Sequence, residues 1–211
     1  MKKTDEAIGF LPTVFVVDDE ESVRNSLRFL LESIRLNVET FNSAEAFLAA
    51  VKPGRRGCLV LDVRMPGMSG PELMDQLNRS ALRLPILFLS AHGDVPLAVR
   101  AIKGGAVDFL QKPYNNQQFL ERIHQALQQD ERNRSHRQRE VDLSARLEGL
   151  TAREREILDQ VVAGQSNKEI GRTLGISYKT VEAHRGRLMH KMEAASFAEL
   201  LQMMLTRSEN A

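Results

Sequence analysis

CLVLDVRMPGMSG, residues 58–70, decides the fold. Cys58, Leu59, Val60 and Leu61 are apolar on consecutive positions, as in a parallel strand covered on both faces. Asp62 follows at the C-terminal end of that strand, where open α/β sheets place their ligands. Pro66, Gly67 and Gly70 then mark a loop. On its own, a strand-end aspartate is more often a solvated loop residue or a helix cap than a site. The remaining strand ends decide between these readings.

Working outward, Thr13 to Val17 is a β-branched apolar run met at once by Asp18, Asp19, Glu20 and Glu21. From Ser22 the period changes, with Val23, Leu27, Leu30, Leu31 and Ile34 at helical spacing. Asn37 to Phe41 reads as a short strand. Ser43 caps a helix through Phe47 and Leu48 that stops before Pro53-Gly54. Gly70-Pro71 opens a helix carrying Leu73, Met74 and Leu77. ILFLS, residues 86–90, is an apolar strand ending at Ser90. Asp94 to Lys103 is helical and closed by Gly104-Gly105. Val107 to Leu110 is a strand leading to Lys112-Pro113, and a final helix begins near Asn116. Strand–helix alternation repeated five times predicts an α/β fold, a doubly wound (βα)5 parallel sheet with helices on both faces.

That topology brings Asp18, Asp19, Asp62, Ser90 and Lys112 to one edge of one sheet. Gathered carboxylates repel one another, so the cluster calls for a cation. Oxygen donors without sulfur or imidazole favour a hard ion, and Mg²⁺ is held by few carboxylates and keeps its waters. A lysine opposite them neutralises a transferring phosphoryl group, and a serine hydroxyl can hydrogen-bond its oxygen. The bland alternative is a set of acidic loops solvated at a sheet edge; five coincidences at one edge count against it. Arg64 and His92, two residues beyond Asp62 and Ser90, either reach toward a phosphoryl group or point into solvent. His124, His136 and His190 have no partners in the pattern and are assigned no chemistry.

The whole-chain numbers exclude more than they assign. The 211 residues suit one or two domains, and 29 basic against 28 acidic residues name no partner. No apolar stretch is long enough to span a bilayer. MKKTDEAIGF, residues 1–10, lacks the apolar core of a signal peptide, so the expectation is a cytoplasmic protein with no membrane partner. The one cysteine, Cys58, reads as a small core residue. There is no zinc-spaced Cys/His cluster and no Gly-rich phosphate loop.

Beyond the fifth strand, Phe119, Leu120, Ile123, Ala126 and Leu127 mark an apolar helix face. QQDERNRSHRQRE, residues 128–140, has no large apolar residue, and Val141, Leu143, Leu147 and Leu150 then return. Without Pro or a single-sign charge block, this reads as a long helix with a solvated middle rather than a disordered linker. Short helices follow. Thr151 caps one, with Glu154 at the capping-box position; Ser166 or Asn167 caps a second, closed by Gly175; Ser177 caps a third, Tyr178 to Met192; Ser196 starts a fourth. Helix, Gly turn, helix is a helix-turn-helix arrangement. Residues 164–192 hold six basic residues (Lys168, Arg172, Lys179, Arg185, Arg187, Lys191) against Glu169 and Glu182. That local excess suits phosphate neutralisation.

VFVVDDEESVRNSL, CLVLDVRMPGMSG, SAHGDVPLAVRAIKGGAVDFL and QKPY together resemble a response-regulator receiver domain of the FixJ type. LTARERE, VVAGQSNKEIG, LGISYKTVEAHRGRLMHKM and SFAELLQMM resemble the DNA-binding domain shared by the LuxR, NarL and FixJ proteins. The resemblance implies a receiver over 1–127, a helical linker over 128–148 and an all-α four-helix domain over 149–211. It implies phosphoryl transfer from a sensor histidine kinase to Asp62, with Asp18, Asp19, Asp62 and the backbone carbonyl of Arg64 around Mg²⁺. Ser90 and Lys112 would bind phosphoryl oxygens, Phe109 would be the switch aromatic, and Lys112-Pro113 would be cis. On the DNA side it implies a recognition helix in the major groove. Glu182 would face the groove, accepting from cytosine N4 or organising a neighbouring arginine. Arg187, Lys191, Lys168 and Tyr178 would reach phosphates. Lys179, Thr180 and Arg185 complete the expected contact set. Promoter DNA, RNA polymerase and a second copy of the chain on phosphorylation are the implied partners. The competing readings are a Mg²⁺-dependent aspartyl phosphatase and a kinase-fed interaction module that never touches DNA. Against the phosphatase, Arg64 stands where such an enzyme usually carries its general acid, and there is no cap segment.

Overall fold

The computed structural model describes residues 11–91 and 95–208, and the readings of residues 1–10, His92 and Asp94 lie outside them. The chain divides into two compact units between Asn133 and Arg134. In the first, β1 (Thr13–Val17), α1 (Glu21–Ser33), β2 (Asn37–Phe41), α2 (Ala44–Ala50), β3 (Gly57–Asp62), α3 (Gly70–Asn78), β4 (Ile86–Ser90), α4 (Val95–Lys103) and β5 (Asp108–Gln111) alternate along the chain. The strands form one sheet in the order β2-β1-β3-β4-β5, and every pair is parallel.

Alternating side chains of each strand feed two cores, one on each face of the sheet. Phe15, Val17, Leu59, Leu61 and Phe88 pack with Phe47 of α2 and Leu73, Met74 and Leu77 of α3. Val14, Val16, Cys58, Val60, Leu87 and Leu89 pack with Leu27 and Leu31 of α1 and with Phe119, Ile123 and Ala126. Double coverage explains why β1, β3 and β4 read as unbroken apolar runs: every residue in them is buried. Leu61→Ala would leave a cavity behind the Asp62 loop, at a cost of about 2–5 kcal/mol. At the sheet edge β2 is half-exposed and carries Glu39 and Thr40, which suits an edge strand.

The local signals hold. Ser43 accepts from Ala46 N at the start of α2. Glu72 accepts from Ser69 N at 2.8 Å at the start of α3. β5 begins one residue later than its apolar pattern, because Val107 N donates to Ile86 O before ladder pairing begins with Asp108 opposite Leu87.

α5 (Asn116–Glu148) is a single helix of 33 residues. The expectation of a solvated stretch over 128–140 needs correcting at its start. Asp130 is buried and accepts the backbone N–H of Gly57 at 2.9 Å, and Glu131 pairs with Arg56. A buried N–H at the head of a strand needs an acceptor, and a carboxylate one turn beyond Ala126 supplies it. Farther along, Val141 is exposed rather than part of the returning apolar face, whereas Leu147 and Leu150 are buried.

The second unit holds α6 (Ala152–Val162), α7 (Asn167–Leu174), α8 (Tyr178–Met192) and α9 (Phe197–Ser208). Its core joins Leu147 and Leu150 to Ile157, Leu158, Val161, Ile170, Val181, Leu188, Met192 and Leu200. Thr151, Ser166 and Ser177 cap three of these helices through their hydroxyls. Gly175 closes α7 at φ 67, a left-handed conformation that glycine adopts without a Cβ penalty. Among the described residues, no helix is long and apolar enough to cross a membrane.

Candidate functional site

The strand order reverses direction beside β1, so a crevice opens outside the carboxyl ends of β1 and β3, where an open α/β sheet binds its ligand. Asp18 follows β1, Asp62 ends β3, Ser90 ends β4 and Lys112 follows β5. The ammonium of Lys112 lies 2.8 Å from Asp18 Oδ2 and 2.8 Å from Asp62 Oδ1. Its own backbone N–H donates to Ser90 O at 2.7 Å, which ties the lysine to the end of β4. The second oxygens are also engaged: Asp18 Oδ1 accepts from Glu20 N at 2.9 Å, and Asp62 Oδ2 accepts from Arg64 N at 2.8 Å. The Lys112-Pro113 peptide bond is cis.

The charges here are buried. Asp18 is 1% exposed and Asp62 8%. Burial pushes the Asp18 carboxyl above its ordinary value, against the opposing pull of its hydrogen bond to Lys112. Desolvation pulls Lys112 down, yet its hydrogen bonds to Asp18 and Asp62 win and raise it. A raised lysine favours the ion pair and a raised aspartate opposes it. The lysine's direction is the firmer, because one ammonium answers two carboxylates at the same distance. For the aspartate burial is the larger cause, and the neighbouring Asp62 carboxylate adds to it in the same direction.

Asp19, expected in the same cluster, is exposed, and among the described residues no three His, Cys, Asp or Glu side chains are gathered to hold a metal ion. The three-carboxylate cluster therefore departs from expectation in having two members drawn together by Lys112. The donor chemistry still fits a hard cation: oxygens only, an excess of negative charge, and a third carboxylate on the adjoining residue. Arg64 is exposed, with its backbone N–H turned to Asp62. Phe109 is half-buried against the α3 side of the sheet, its ring 6.4 Å from that of Phe88.

Two ties around this edge, one local and one long-range, escaped the sequence reading. Arg24 of α1 donates to the carbonyls of both Asp18 and Asp19. Glu45 of α2 accepts from Met68 N at 3.0 Å, which fixes the loop beyond Asp62, and its own backbone N–H, with that of Met68, holds its carboxyl below the ordinary range. Only the spacing of Arg24 from the acid pair, within the first turns of α1, could have signalled the first. Nothing local signals the second.

In the second unit the expected DNA-facing residues separate into two groups. Lys168, Tyr178, Lys179, Glu182 and Arg187 are exposed. Lys179, Glu182, Ala183, Gly186 and Arg187 follow one another at the spacing of a single helix face. The others are held by neighbours. Thr180 shares a hydrogen bond with Ser177 at 2.8 Å. Arg185 donates to Asn167 Oδ1 at 2.7 Å and lies over the Phe197 ring. Lys191, expected at a phosphate, instead donates to Glu154 Oε2 at 2.7 Å and to Gly149 O at 3.1 Å. The reason is the capping box: Glu154 turns back to Thr151 N and is 3% exposed, so a buried carboxylate draws in the nearest cation. The Lys191 hydrogen bond, with those from Thr151, lowers the Glu154 carboxyl to about 2.

Comparison with known proteins agrees with both halves. A model of the response regulator receiver domain matches residues 14–124, and one of the bacterial regulatory proteins of the luxR family matches residues 148–204. The transcriptional regulatory protein TdiR of Thauera aromatica is 49% identical over 205 residues, covering 96% of this chain and 89% of its own. FixJ of Azorhizobium caulinodans is 45% identical, with 91% of each chain covered. The solved structure of the response regulator StyR aligns with a TM-score of 0.82 at 46% identity, over 92% of this chain and 98% of its own. With both units matched in order, the chain belongs to the NarL/FixJ family of response regulators, transcription regulators in which a receiver domain governs a luxR-type helix-turn-helix domain by phosphorylation.

Proposed function

We propose that Asp62 is the phosphoacceptor, charged by a sensor histidine kinase, and that the phosphorylated protein dimerises, binds promoter DNA and engages RNA polymerase. The observation that carries this reading is the bridge from Lys112 to Asp18 and Asp62. A carboxylate oxygen of Asp62 attacks the phosphorus, the nitrogen–phosphorus bond of the phosphohistidine breaks, and an acyl phosphate forms. Asp18, Asp19 and Asp62, with the Arg64 carbonyl, would hold Mg²⁺, which supplies positive charge to the transferring group's oxygens. Lys112 meets the phosphoryl charge from the other side, and the Ser90 hydroxyl takes a further oxygen. Phe109 then responds to the movement of Ser90. The only reaction assigned to the receiver is its own phosphorylation and dephosphorylation. The receiver is read as spanning 1–127 and the DNA-binding domain 149–211, with 128–148 as the helical connector.

On the DNA side, Lys168, Tyr178, Lys179 and Arg187 are assigned to the phosphate backbone and Glu182 to base edges. Arg185 and Lys191 tie the helix to Asn167 and Glu154, and Thr180 braces its first turn against Ser177. The test has two parts. In Mg²⁺ and a small-molecule phosphodonor, wild type is expected to label and Asp62→Asn not to, because an amide is a poor nucleophile; full labelling of the variant would move the acceptor elsewhere. A gel shift on random duplexes with and without phosphodonor separates the DNA-binding reading from the interaction-module one.

A further inference from the structure

Resting on the assignment of Asp18, Asp19 and Asp62 to Mg²⁺, we infer that Arg24 is a positioning residue for that site. It sets the turn that aims the two adjacent carboxylates in different directions. Arg24 Nη1 lies 2.8 Å from Asp18 O and 2.8 Å from Asp19 O. Successive carbonyls of an extended strand point to opposite sides. Two consecutive carbonyls that reach one nitrogen must share a side, so the chain turns sharply directly after β1. That turn leaves Asp18 buried at the Lys112 ammonium and Asp19 exposed beyond it.

Glu20, the N-cap of α1, makes no side-chain capping hydrogen bond. The Asp18 side chain supports Glu20 N, and the Asp18 N–H is taken by Phe41 O, but neither touches the carbonyl side. Arg24 sits one helical turn along, its own N–H bonded to Glu20 O, so its stem is anchored in α1 while its head closes the loop. A guanidinium presents fixed donors and carries its charge at any ordinary pH. It therefore acts through the backbone of the two acids, as outer-shell partners act on metal ligands elsewhere.

Electrostatics alone makes the opposite prediction, which gives the test its sign. Deleting a cation beside a metal site should tighten metal binding. Deleting a positioning residue should weaken it. Mn²⁺ serves as the probe, with the unbound ion counted by electron paramagnetic resonance in solutions of the full-length unphosphorylated chain. Arg24→Ala and Arg24→Met are expected to raise the Mn²⁺ dissociation constant ~10–100-fold, and Arg24→Lys, which keeps charge and donor, to recover most of the loss. Far-UV circular dichroism and urea midpoints without metal should match wild type. Unchanged or tighter binding in Arg24→Ala overturns the inference, as does loss of the folded receiver in both the Ala and Met variants. Asp19→Asn runs beside them: if wild type does not bind Mn²⁺, or Asp19→Asn binds as well as wild type, the metal-site assignment itself fails. Binding lost in Asp19→Asn but kept in Arg24→Ala removes Arg24 alone.

Discussion

Among the described residues Lys112 pairs with two buried carboxylates at the proposed phosphoacceptor edge, so its removal leaves both without their ammonium. Lys112→Met is expected to cost about 3 kcal/mol in urea unfolding at neutral pH, because it leaves unpaired buried charge. Added Mg²⁺ should restore part of the loss; a deficit indifferent to Mg²⁺ would mean that lost packing, not charge, is responsible. The second unit offers a pH test. Glu154 titrates near 2 in the fold against an ordinary 4.5. A depressed carboxyl contributes stability above the unfolded value and loses it as pH falls toward the folded one. The urea midpoint of the second unit should therefore drop between pH 4.5 and 2 in wild type, and the drop should shrink in Glu154→Gln. Equal pH dependence in both would remove Glu154 as the source. At this scale the strand-end placement of Asp18, Asp62, Ser90 and Lys112 was legible, because parallel alternation puts every strand's carboxyl end at one edge. The partners of Lys191 and Arg24 were not. Lys191 belongs to a basic helix by pattern, but its fate rests on a carboxylate 37 positions away that a capping box had already buried. Whether a cation faces solvent or a neighbour is a property of packing.

Elements with local signals were read nearly to the residue. α8 follows from Ser177 as cap and from Val181, Leu188 and Met192 as its buried stripe, all within one segment. α5 was legible as a helix but not in its burial, since Asp130 looks like any charged helical residue until Gly57 of β3 arrives beside it. The division of α8 into exposed and anchored cations makes two substitutions behave differently. Arg187→Ala should weaken binding to all duplexes alike and lower the salt slope by ~0.9, with stability unchanged. Lys191→Ala strands the buried Glu154 carboxylate, so it should destabilise the second unit and leave the slope alone. Salt titrations of duplex binding, paired with urea unfolding of each variant, check this. A reduced slope in Lys191→Ala with wild-type stability would restore that lysine to the phosphates.

At the scale of the whole molecule the proposed acceptor and the proposed DNA face belong to different compact units, and α5 is the element common to both cores: it gives Phe119, Ile123 and Ala126 to one and Leu147 to the other. Charging Asp62 adds negative charge to a site where Lys112 is already shared between two carboxylates. The ammonium and Ser90 must therefore reorganise to meet the phosphoryl oxygens. Phe109, half-buried beside Phe88, lies on the strand next to Ser90 and is placed to follow. A second copy pairing on the altered receiver face would present two α8 helices together, matching a roughly palindromic operator with half-sites ~10 base pairs apart. Coupling of this kind is reciprocal and typically worth ~1–3 kcal/mol. A phosphoryl mimic such as beryllofluoride should then double the sedimenting mass and tighten operator binding, and operator DNA should in turn strengthen binding of the mimic by the same factor. A monomeric mass with the mimic, together with full activation of DNA binding, would exclude pairing and leave relief of an inhibitory contact as the switch.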